Sequence, residues 1–590
     1  MMEETAWVAQ VSKLVEGVPI SAQVEGEELV VLKCKDAITV FQGFCPHEGT
    51  LLATGVVDNG VLVCSGHGWR FDCVSGQKVE EPSVWLKRFS VRIEQDHVGV
   101  QRTEVIEWKQ SVLQQTPVSQ GRSLNDLPGP KGLPLVGNLL QLDLKQIHLI
   151  LEQWAHQYGP IYKFKMGAKT VIAFADPDLM HAALRNRPEA YRRFDTVAPV
   201  FEEMGMKGVF SEEGADWYRQ RRVAMHALNT SHLPQFFPTV AKVVARLKTR
   251  WDQAATAGDS VNLQSDLMRF AVDVTTDLAF GYDINTLEEK GGVLQQHLEL
   301  IMPMLNRRVF VPFPYWHFVK LPADRALDRA LAALHKVIAG LIAQSRAQLA
   351  HNPELATHPS NLLQAMLSVR DEKEAFTEAE IAGNVLTFLV AGEDTTANAM
   401  TWMAHFMTAD PEIQQRMQQE VDEVLGNAPM LQHFADHDRL TYLEAVAHET
   451  LRLKAVAPIL FLEANHAVEL GGIHLPAGTS VVLLTRLSGL QESAFSAAQQ
   501  FRPERWLTDS ARPQSGHNPS AIMPFGSGPR FCPGRNLALL EIKSVMAMLC
   551  RNFSISKAAD AKQVGEQFAF VMMPTNVLVD FRRREGSVSA

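Results

Sequence analysis

The chain has 590 residues, more than a single hydrophobic core usually serves, so two or more domains are expected. Hydrophobic residues make up 46% and charged residues 21%, a globular composition that excludes a largely disordered or fibrous chain. The formal net charge of −10 has the wrong sign for binding along a phosphate backbone, so nucleic acid is not an expected partner.

Cysteine usage and hydropathy suggest a compartment. Six cysteines are too few for a disulfide framework in a chain of this length, and they are typical of a reducing compartment, where cysteines more often hold metals. The first residues resemble neither a signal peptide nor a membrane anchor, and no apolar run reaches about 18 residues. We therefore expect a cytoplasmic protein without a membrane anchor.

Three segments follow one another along the chain. Short apolar runs separated by turn residues predict a small all-β domain over residues 5–102. Residues 103–126 are polar and lose strict periodicity, which predicts a linker. A Pro/Gly cluster and long amphipathic stretches then predict a large, mainly α domain with some strands (α+β) over residues 127–590.

Two Cys/His pairs occupy the small domain. Cys45 and His47 form a C-x-H pair, and Cys64 and His67 form a C-x-x-H pair sixteen residues further on. Two thiolates and two imidazoles can bind zinc, or can hold a 2Fe-2S cluster with both sulfurs on one iron and both nitrogens on the other. Chance pairing of loop residues is the remaining alternative.

The run CSGHGWRFDCVSGQ, which begins at Cys64, resembles Rieske ferredoxin domains. The resemblance implies that the four Cys/His residues bind a Rieske 2Fe-2S cluster. Thr50 and Gly66 stand where respiratory Rieske proteins carry two further cysteines, so the ferredoxin or oxygenase subtype is implied, with a low potential suited to donating electrons. A ring-hydroxylating oxygenase would also need an H-x-x-x-x-H iron site, and no pair of the 20 histidines has that spacing.

A lone cysteine near the C-terminus has an unusual sequence environment. Cys532 follows a glycine-rich loop that starts at Phe525 and precedes a predicted helix. Glycines allow close backbone approach to a flat macrocycle, and a helix N-terminus favours a thiolate. By itself this pattern also fits a buried structural cysteine.

Together with motifs upstream, this loop resembles cytochrome P450 enzymes, which implies that Cys532 is the axial ligand of heme b. The resemblance also implies a structural network of Glu449, Arg452 and Arg505, although such a pair read alone is more often a solvated helix face. Many relatives carry an Arg where Leu462 stands, so Arg486 is an additional candidate for anchoring the haem. The further residues that the resemblance places around the cofactor are Trp217, Arg221, Ala391, Phe525, Arg530 and Gly534.

A second long motif lies upstream of this network. Thr377 as N-cap with Glu380 three residues on predicts a capping box and a helix to about residue 408. The run from Ala391 to Thr396 contains poor helix formers, which predicts a weak point with room for O₂. The resemblance implies that Asp394 and Thr395 are the acid–alcohol pair that delivers protons, whereas a D-T-T kink without a catalytic role is the alternative.

These features predict a monooxygenase that activates O₂ and inserts one oxygen atom into a lipophilic small-molecule substrate. No G-x-G-x-x-G follows a strand, so NAD(P)H is expected to act through a separate ferredoxin reductase, with electrons passing through the Rieske cluster to the haem. We also expect the face of the small domain that carries His47 and His67 to meet the large domain near Cys532, where Arg530, Arg535 and Lys543 would complement an acidic partner. The alternatives are a peroxide-rearranging or redox-sensing haem protein with a regulatory Rieske domain, and a pure electron-transfer protein.

Overall fold

The structure of the chain is a computed structural model. His47 and His67, two of the four predicted cluster ligands, lie outside the residues that it describes. The described residues are 5–25, 27–34, 37–46, 51–64, 68–114, 123–288, 293–311, 313–357, 359–369, 375–507 and 516–584.

The small domain is all-β, as the alternating pattern predicted. Its described strands form three antiparallel sheets with the orders β1-β10-β9, β2-β3-β4-β8 and β5-β6-β7, and two separate core clusters lie between them. The strands are β1 (Thr5–Gln10), β2 (Ile20–Val24), β3 (Glu27–Cys34), β4 (Ala37–Gln42), β5 (Val56–Asp58), β6 (Val61–Val63), β7 (Arg70–Asp72), β8 (Arg88–Phe89), β9 (Val91–Glu94) and β10 (His97–Gln101).

The predicted linker over residues 103–126 begins as a helix, α1 (Arg102–Gln114). Val105 is fully buried in a core cluster of the small domain, and Trp108 packs against Phe89 with a ring distance of 5.5 Å. Glu104 also accepts a hydrogen bond from Lys87, at 2.8 Å. The helix forms because these contacts bury one of its faces, which compensates for its weak apolar periodicity.

The large domain is mainly helical and contains one mixed sheet and several small ones. Its helices are α2 (Ile147–Tyr158), α3 (Pro177–Arg185), α4 (Val197–Glu203), α5 (Gly214–Ala227), α6 (Leu233–Ala257), α7 (Leu263–Phe280), α8 (Val293–Leu298), α9 (Ile301–Phe310), α10 (Pro322–His351), α11 (Leu362–Leu367), α12 (Glu378–Ala409), α13 (Pro411–Leu425), α14 (Thr441–Leu453) and α15 (Arg535–Asn552).

The mixed sheet has five described strands in the order β11-β12-β18-β15-β13, in which β12 and β18 are parallel. The other strands form two hairpins and a three-stranded sheet, β14-β22-β19. The strands are β11 (Ile161–Met166), β12 (Lys169–Phe174), β13 (Tyr191–Arg193), β14 (Val261–Asn262), β15 (Leu460–Ala464), β16 (Val468–Leu470), β17 (Ile473–Leu475), β18 (Ser480–Leu483), β19 (Phe553–Lys557), β20 (Gly565–Ala569), β21 (Val571–Thr575) and β22 (Leu578–Arg583).

Helix α12 runs through the core of the large domain, and its predicted start is confirmed. Thr377 caps the helix, and the Thr377 N–H donates to Glu380 Oε2 at 2.8 Å, completing the capping box. The helix is continuous through the expected weak point. There Gly392 faces α7 so closely that a Cβ atom would lie 2.4 Å from Thr275 Oγ1, so this glycine permits helix packing.

Within the described residues, no helix combines the length and apolar character needed to cross a membrane.

Candidate active site and electron-transfer centre

Cys45 and Cys64 lie on two loops that share one core of the small domain. Cys45 follows β4 and Cys64 follows β6, and both residues are buried in the same cluster. The Cys64 N–H donates to the Trp69 carbonyl at 2.8 Å, and the Gly68 N–H donates to the Cys64 carbonyl at 3.0 Å. Gly68 has a φ of +68°, which a side chain would strain. The fold therefore brings together the two predicted sulfur ligands.

Cys532 lies at the N-terminal end of α15, as its sequence environment predicted. Its N–H donates to the Phe525 carbonyl at 2.8 Å, which closes the glycine-rich loop. Burial raises the pKa of the Cys532 thiol, while the N–H groups of Gly534 and Arg535 and the guanidinium of Arg221 favour the thiolate. A coordinated metal would shift this balance fully to the thiolate.

The backbone conformation of this loop and its close backbone contacts require glycine at two positions. Gly526 and Gly528 have φ values of +76° and +71°. A Cβ atom on Gly528 would lie 2.2 Å from the Leu184 carbonyl oxygen at the end of α3. The loop therefore needs glycine in order to pass over α3.

Four arginines converge beside the Cys532 loop. Arg187 and Arg221 are buried, as is the side chain of Arg530, while Arg193 is half-buried. Glu213 pairs with Arg530, accepts the Arg193 N–H at 3.0 Å, and lies 3.8 Å from Arg187 Nη2. Arg187 Nε and Nη2 and Arg530 Nε and Nη1 have no hydrogen-bond partner among the described residues. The cluster carries more positive charge than Glu213 can neutralise.

Burial disfavours the charged form of these side chains. It lowers the pKa of Arg187 and Arg221 to about 10 and that of Arg193 to about 9. Arg530 lies 4.4 Å above the ring of Trp217, which gives further stabilisation but supplies no negative charge. A buried cationic cluster with unpaired donors is suited to an anionic group, and carboxylates such as haem propionates fit it.

Arg193 supplies a guanidinium next to Leu462, the position at which many relatives carry an Arg. Strands β13 and β15 are antiparallel neighbours in which Arg193 pairs directly with Leu462, so a guanidinium enters from the adjacent strand. The suggestion that Arg486 helps to anchor the haem is wrong. Its guanidinium donates to Glu152 at 2.6 and 2.8 Å and to Glu566 at 3.1 Å, so its charge is already neutralised.

The middle of α12 presents an accessible strip in an otherwise buried helix. Ala391 is exposed, Gly392 and Thr395 are half-buried, and their neighbours Glu393 and Asp394 are buried. Thr395 Oγ1 donates to the Ala391 carbonyl at 2.8 Å. A short hydroxyl beside an alanine leaves room for a flat cofactor and a small ligand.

Two adjacent carboxyl groups lie next to this strip. Asp394 is 2% exposed and its Oδ1 has no hydrogen-bond partner among the described residues. Burial and the charge of Glu299 raise the pKa of Asp394 to about 7. Burial and Asp394 also raise the pKa of Glu393, whose Oε1 accepts a hydrogen bond from Gln295 Nε2 at 2.6 Å. An acid with a pKa near 7 is well matched to proton transfer at neutral pH.

The predicted Glu449 network forms, and its central pair of Glu449 and Arg452 is fully buried. Glu449 accepts from Arg452 Nη2 at 2.7 Å, from Arg505 Nε at 3.1 Å and from Trp506 Nε1 at 2.8 Å. The Arg502 N–H also donates to it, at 2.8 Å. The network joins α14 to the segment that leads toward the Cys532 loop, so its role is structural.

The two domains meet on α5. A crevice between them is lined on the small-domain side by Glu28 and by Phe44 and Leu51, which flank the Cys45 loop. Burial raises the pKa of Glu28, and the facing guanidinium of Arg222 opposes that shift. The large-domain lining consists of Trp217, Tyr218, Arg221, Arg222, Met225, Pro529 and Phe531.

The contact lies beside the Cys532 loop, where it was predicted, but Lys543 takes no part in it. Lys543 is 8% exposed, donates to the His437 carbonyl at 3.0 Å and pairs with Glu444, so it is not available for docking. The expectation was wrong for Lys543 because a buried lysine on α15 needs a carboxylate partner within its own domain.

The fold and the site define a haem-thiolate oxygenase domain joined to an iron–sulfur domain. The family profile described as Cytochrome P450 matches residues 127–581, and the profile described as Rieske [2Fe-2S] domain matches residues 4–89. The chain belongs to the cytochrome P450 family and carries a Rieske domain at its N-terminal end.

Relatives support the same family. The protein LUTEIN DEFICIENT 5, chloroplastic, from Arabidopsis thaliana is 26% identical over 69% of this chain and 69% of its own length. Cytochrome P450 4d10 from Drosophila mettleri is 26% identical over 78% of this chain and 91% of its own length. The self-sufficient cytochrome P450 monooxygenase CYP505E4 from Penicillium expansum is 26% identical over 74% of this chain and 41% of its own length.

Both cofactors follow from the two domains: a haem with a thiolate ligand in the large domain and a 2Fe-2S cluster in the small one. The residues present fit both groups. Arg187 and Arg530 have guanidinium nitrogens with no hydrogen-bond partner in the part of the chain that the structure describes, and these suit haem carboxylates. The buried pair Cys45 and Cys64 suits the sulfur-ligated iron.

Sequence reasoning missed several residues of the site. Arg187, Arg193 and Glu213 carry no local motif and come together only through the sheet and the start of α5. Glu541 on α15 is buried, receives a hydrogen bond from Thr396 on α12, and has its pKa raised to about 8 by burial. A charged residue in an apolar helical run was the only signal that could have marked Glu541.

Proposed function

We propose that this haem monooxygenase receives its electrons through its own Rieske domain. NAD(P)H reduces a separate ferredoxin reductase, which reduces the 2Fe-2S cluster, and the cluster passes electrons one at a time to the haem of the same chain. The observation that carries the proposal is the crevice in which Phe44 and Leu51, beside Cys45, face Trp217 and Phe531, beside Cys532.

Charge on the two faces supports this docking. The small domain presents Glu28 to Arg222 on α5, and Tyr218 of the same helix lies in the field of Glu27 and Glu28. Opposite charges at a contact fix its orientation more than they increase its affinity. The contact would therefore hold the cluster loop over the Cys532 loop in one register.

The ligand and proton roles follow the same reasoning. Cys532 ligates the haem iron, and Cys45, His47, Cys64 and His67 ligate the cluster. When bound, the haem supplies O₂ activation, so that one oxygen atom enters the substrate and the other leaves as water.

Asp394 and Thr395 hold and deliver protons on the α12 side. Asp394 has a pKa near 7 and an Oδ1 with no hydrogen-bond partner among the described residues, and the Thr395 hydroxyl lies on the accessible strip. Trp217, Arg221, Arg530 and Gly534 hold the cofactor and its thiolate, joined by Arg187 and Arg193.

A lipophilic small molecule is the proposed substrate. Phe201 and Phe210 stack at 5.1 Å, and Phe570 at the tip of the β20–β21 hairpin contacts both rings. The Val209 N–H, next to Phe210, donates to Asn384 on α12 at 2.9 Å, so these rings lie beside that helix. An aromatic wall favours an apolar ligand.

The apolar residues of α12 before Ala391 belong mostly to the core, and a second apolar stretch, residues 309–318, is only partly buried. Leu386, Leu389 and Val390 are buried, whereas Phe388 is half-buried. In the second stretch Val309 and Phe310 are buried, while Phe313 and Phe318 are exposed. The cytoplasm is the proposed compartment, since all six cysteines lie within the described residues and none of them forms a disulfide there.

Haem reduction under CO tests the electron route. The rate is measured with NADH and saturating ferredoxin reductase as a function of protein concentration. A first-order rate independent of concentration is expected for transfer within one chain, because the two domains stay at a fixed effective concentration. A rate that rises with concentration would contradict transfer within the chain.

A reduced cluster without haem reduction would instead favour a regulatory Rieske domain. Arg222→Glu should slow haem reduction, since it places a like charge against Glu28. The matched control is Arg416→Glu, which reverses an exposed charge on α13.

A further inference from the structure

One hydrogen-bonded chain of side chains connects the surface with the buried carboxyl pair on α12. Glu299 is exposed at the end of α8, and Gln295 on the same helix is 1% exposed. Gln295 Nε2 lies 2.6 Å from Glu393 Oε1 and 3.4 Å from Glu299 Oε1, so a single amide group contacts both carboxylates.

These two contacts limit the distance between the carboxylates. Because both oxygens lie within hydrogen-bond distance of one nitrogen, the Glu299 and Glu393 oxygens are at most about 6 Å apart, a separation that a single water molecule could bridge. Gln295 Oε1 has no partner among the described residues, so a polar acceptor is free to hold that water.

Glu393 also leads to the acid of the site. It precedes Asp394 in sequence, and the charge of Asp394 helps to raise the pKa of Glu393. Asp394 Oδ1 is buried, unpartnered among the described residues, and next to Thr395. Two adjacent buried carboxyls with a raised pKa hold protons at neutral pH, because two buried negative charges side by side are costly.

We propose that Glu393 relays protons from solvent at Glu299 to Asp394, and that Gln295 positions the Glu393 carboxyl for this transfer. The proposal rests on the O₂ chemistry of the family and is independent of the electron route proposed above.

The proton balance is simple. Asp394 passes its proton toward the Thr395 hydroxyl and becomes a carboxylate. A protonated Glu393 then gives its proton to the Asp394 carboxylate. The resulting Glu393 carboxylate takes a proton from the solvated site at Glu299, which is reprotonated from bulk solvent, so that the net change is one proton moved from solvent to Asp394. No bond other than O–H forms or breaks, and the electrons come from the haem's donor. Each O₂ reduced with oxygen insertion consumes two protons, so the relay turns over twice.

Infrared spectroscopy tests the relay without turnover. In the haem- and cluster-loaded chain, the carbonyl stretch of protonated carboxyls is followed after mixing into D₂O. We expect Glu393→Gln to remove one exchangeable band and Glu299→Gln to slow the exchange of that band by about tenfold. Glu354→Gln, which changes an exposed carboxylate away from the relay, should leave both unchanged.

Oxygen reduction gives a second readout. Electrons are supplied by deazaflavin photoreduction, and water and hydrogen peroxide are quantified with no substrate added. Glu393→Gln should lower water formation about tenfold and raise the share released as peroxide, while Glu393→Asp should restore part of it. Exchange at the wild-type rate in Glu299→Gln, or unchanged oxygen reduction in Glu393→Gln, would overturn the proposal.

Discussion

Replacing Glu449 by Gln should strongly destabilise the large domain. Glu449 and Arg452 are fully buried, and the carboxylate balances the charges of Arg452 and Arg505. Burial alone would raise the pKa of Glu449, yet Arg452 and the hydrogen bonds from the Arg502 N–H and Trp506 lower it, so the carboxylate is ionised in the folded state. The amide of Gln keeps the shape but leaves two buried guanidinium groups with no counter-charge.

The magnitude follows from this burial. Removing one partner of a buried ion pair costs about 3–5 kcal/mol, whereas an exposed pair contributes about 0–1 kcal/mol. Arg416→Ala is the matched control, because Arg416 and Glu504 form an ion pair with each other and their side chains are 45% and 46% exposed. Glu449→Gln should therefore cost several times as much unfolding free energy as Arg416→Ala.

Urea unfolding followed by circular dichroism measures both variants, and haem retention follows the same transition. Adding Arg452→Met to Glu449→Gln removes one unpaired charge and should recover part of the loss. Recovery stays incomplete because Arg452 also donates to the carbonyls of Gly489 and Ala498, at 2.5 and 2.7 Å. A Glu449→Gln cost no larger than that of Arg416→Ala would refute the reasoning.

Three further predictions concern haem retention, the pH dependence of stability and the domain contact. Arg193→Leu should weaken haem retention about tenfold in an apomyoglobin transfer assay, since one charge-assisted contact is lost. The control Arg192→Leu changes an exposed residue of β13 and should leave haem retention unchanged. Glu541 keeps its proton up to about pH 8 when folded, so unfolding free energy should fall between about pH 5 and 8, and Glu541→Gln should flatten that slope in urea titrations. Glu28→Gln should slow haem reduction, because it removes the attraction of Glu28 for Arg222. Salt screens that attraction, so stopped-flow under CO should show a smaller effect at high salt than at low salt.

Motifs that act over a few residues were predictable from the sequence. The capping box of Thr377 and Glu380 formed as predicted, because its two hydrogen bonds join residues three apart. The helix start after Cys532 was also local, set by Gly534 and the apolar run that follows. The Glu449 network was found because its spacing resembles a family motif.

The expectation of a linker over residues 103–126 shows where local reasoning stops. Helix α1 has little apolar periodicity of its own, and it forms because Val105 and Trp108 find a hydrophobic surface on the strands before it. The role suggested for Arg486 failed for a similar reason, since Glu152 and Glu566 are distant in sequence and adjacent in space.

The sequence by itself determined the two domains and their cofactors, because the motifs that mark them lie within short spacings. Only the tertiary structure decided which charges meet. Arg193 stands opposite Leu462 through a strand pairing, and Glu28 faces Arg222 through a domain contact. Such pairings depend on the register and packing of distant segments, where the free energy comes from burial that no local pattern encodes.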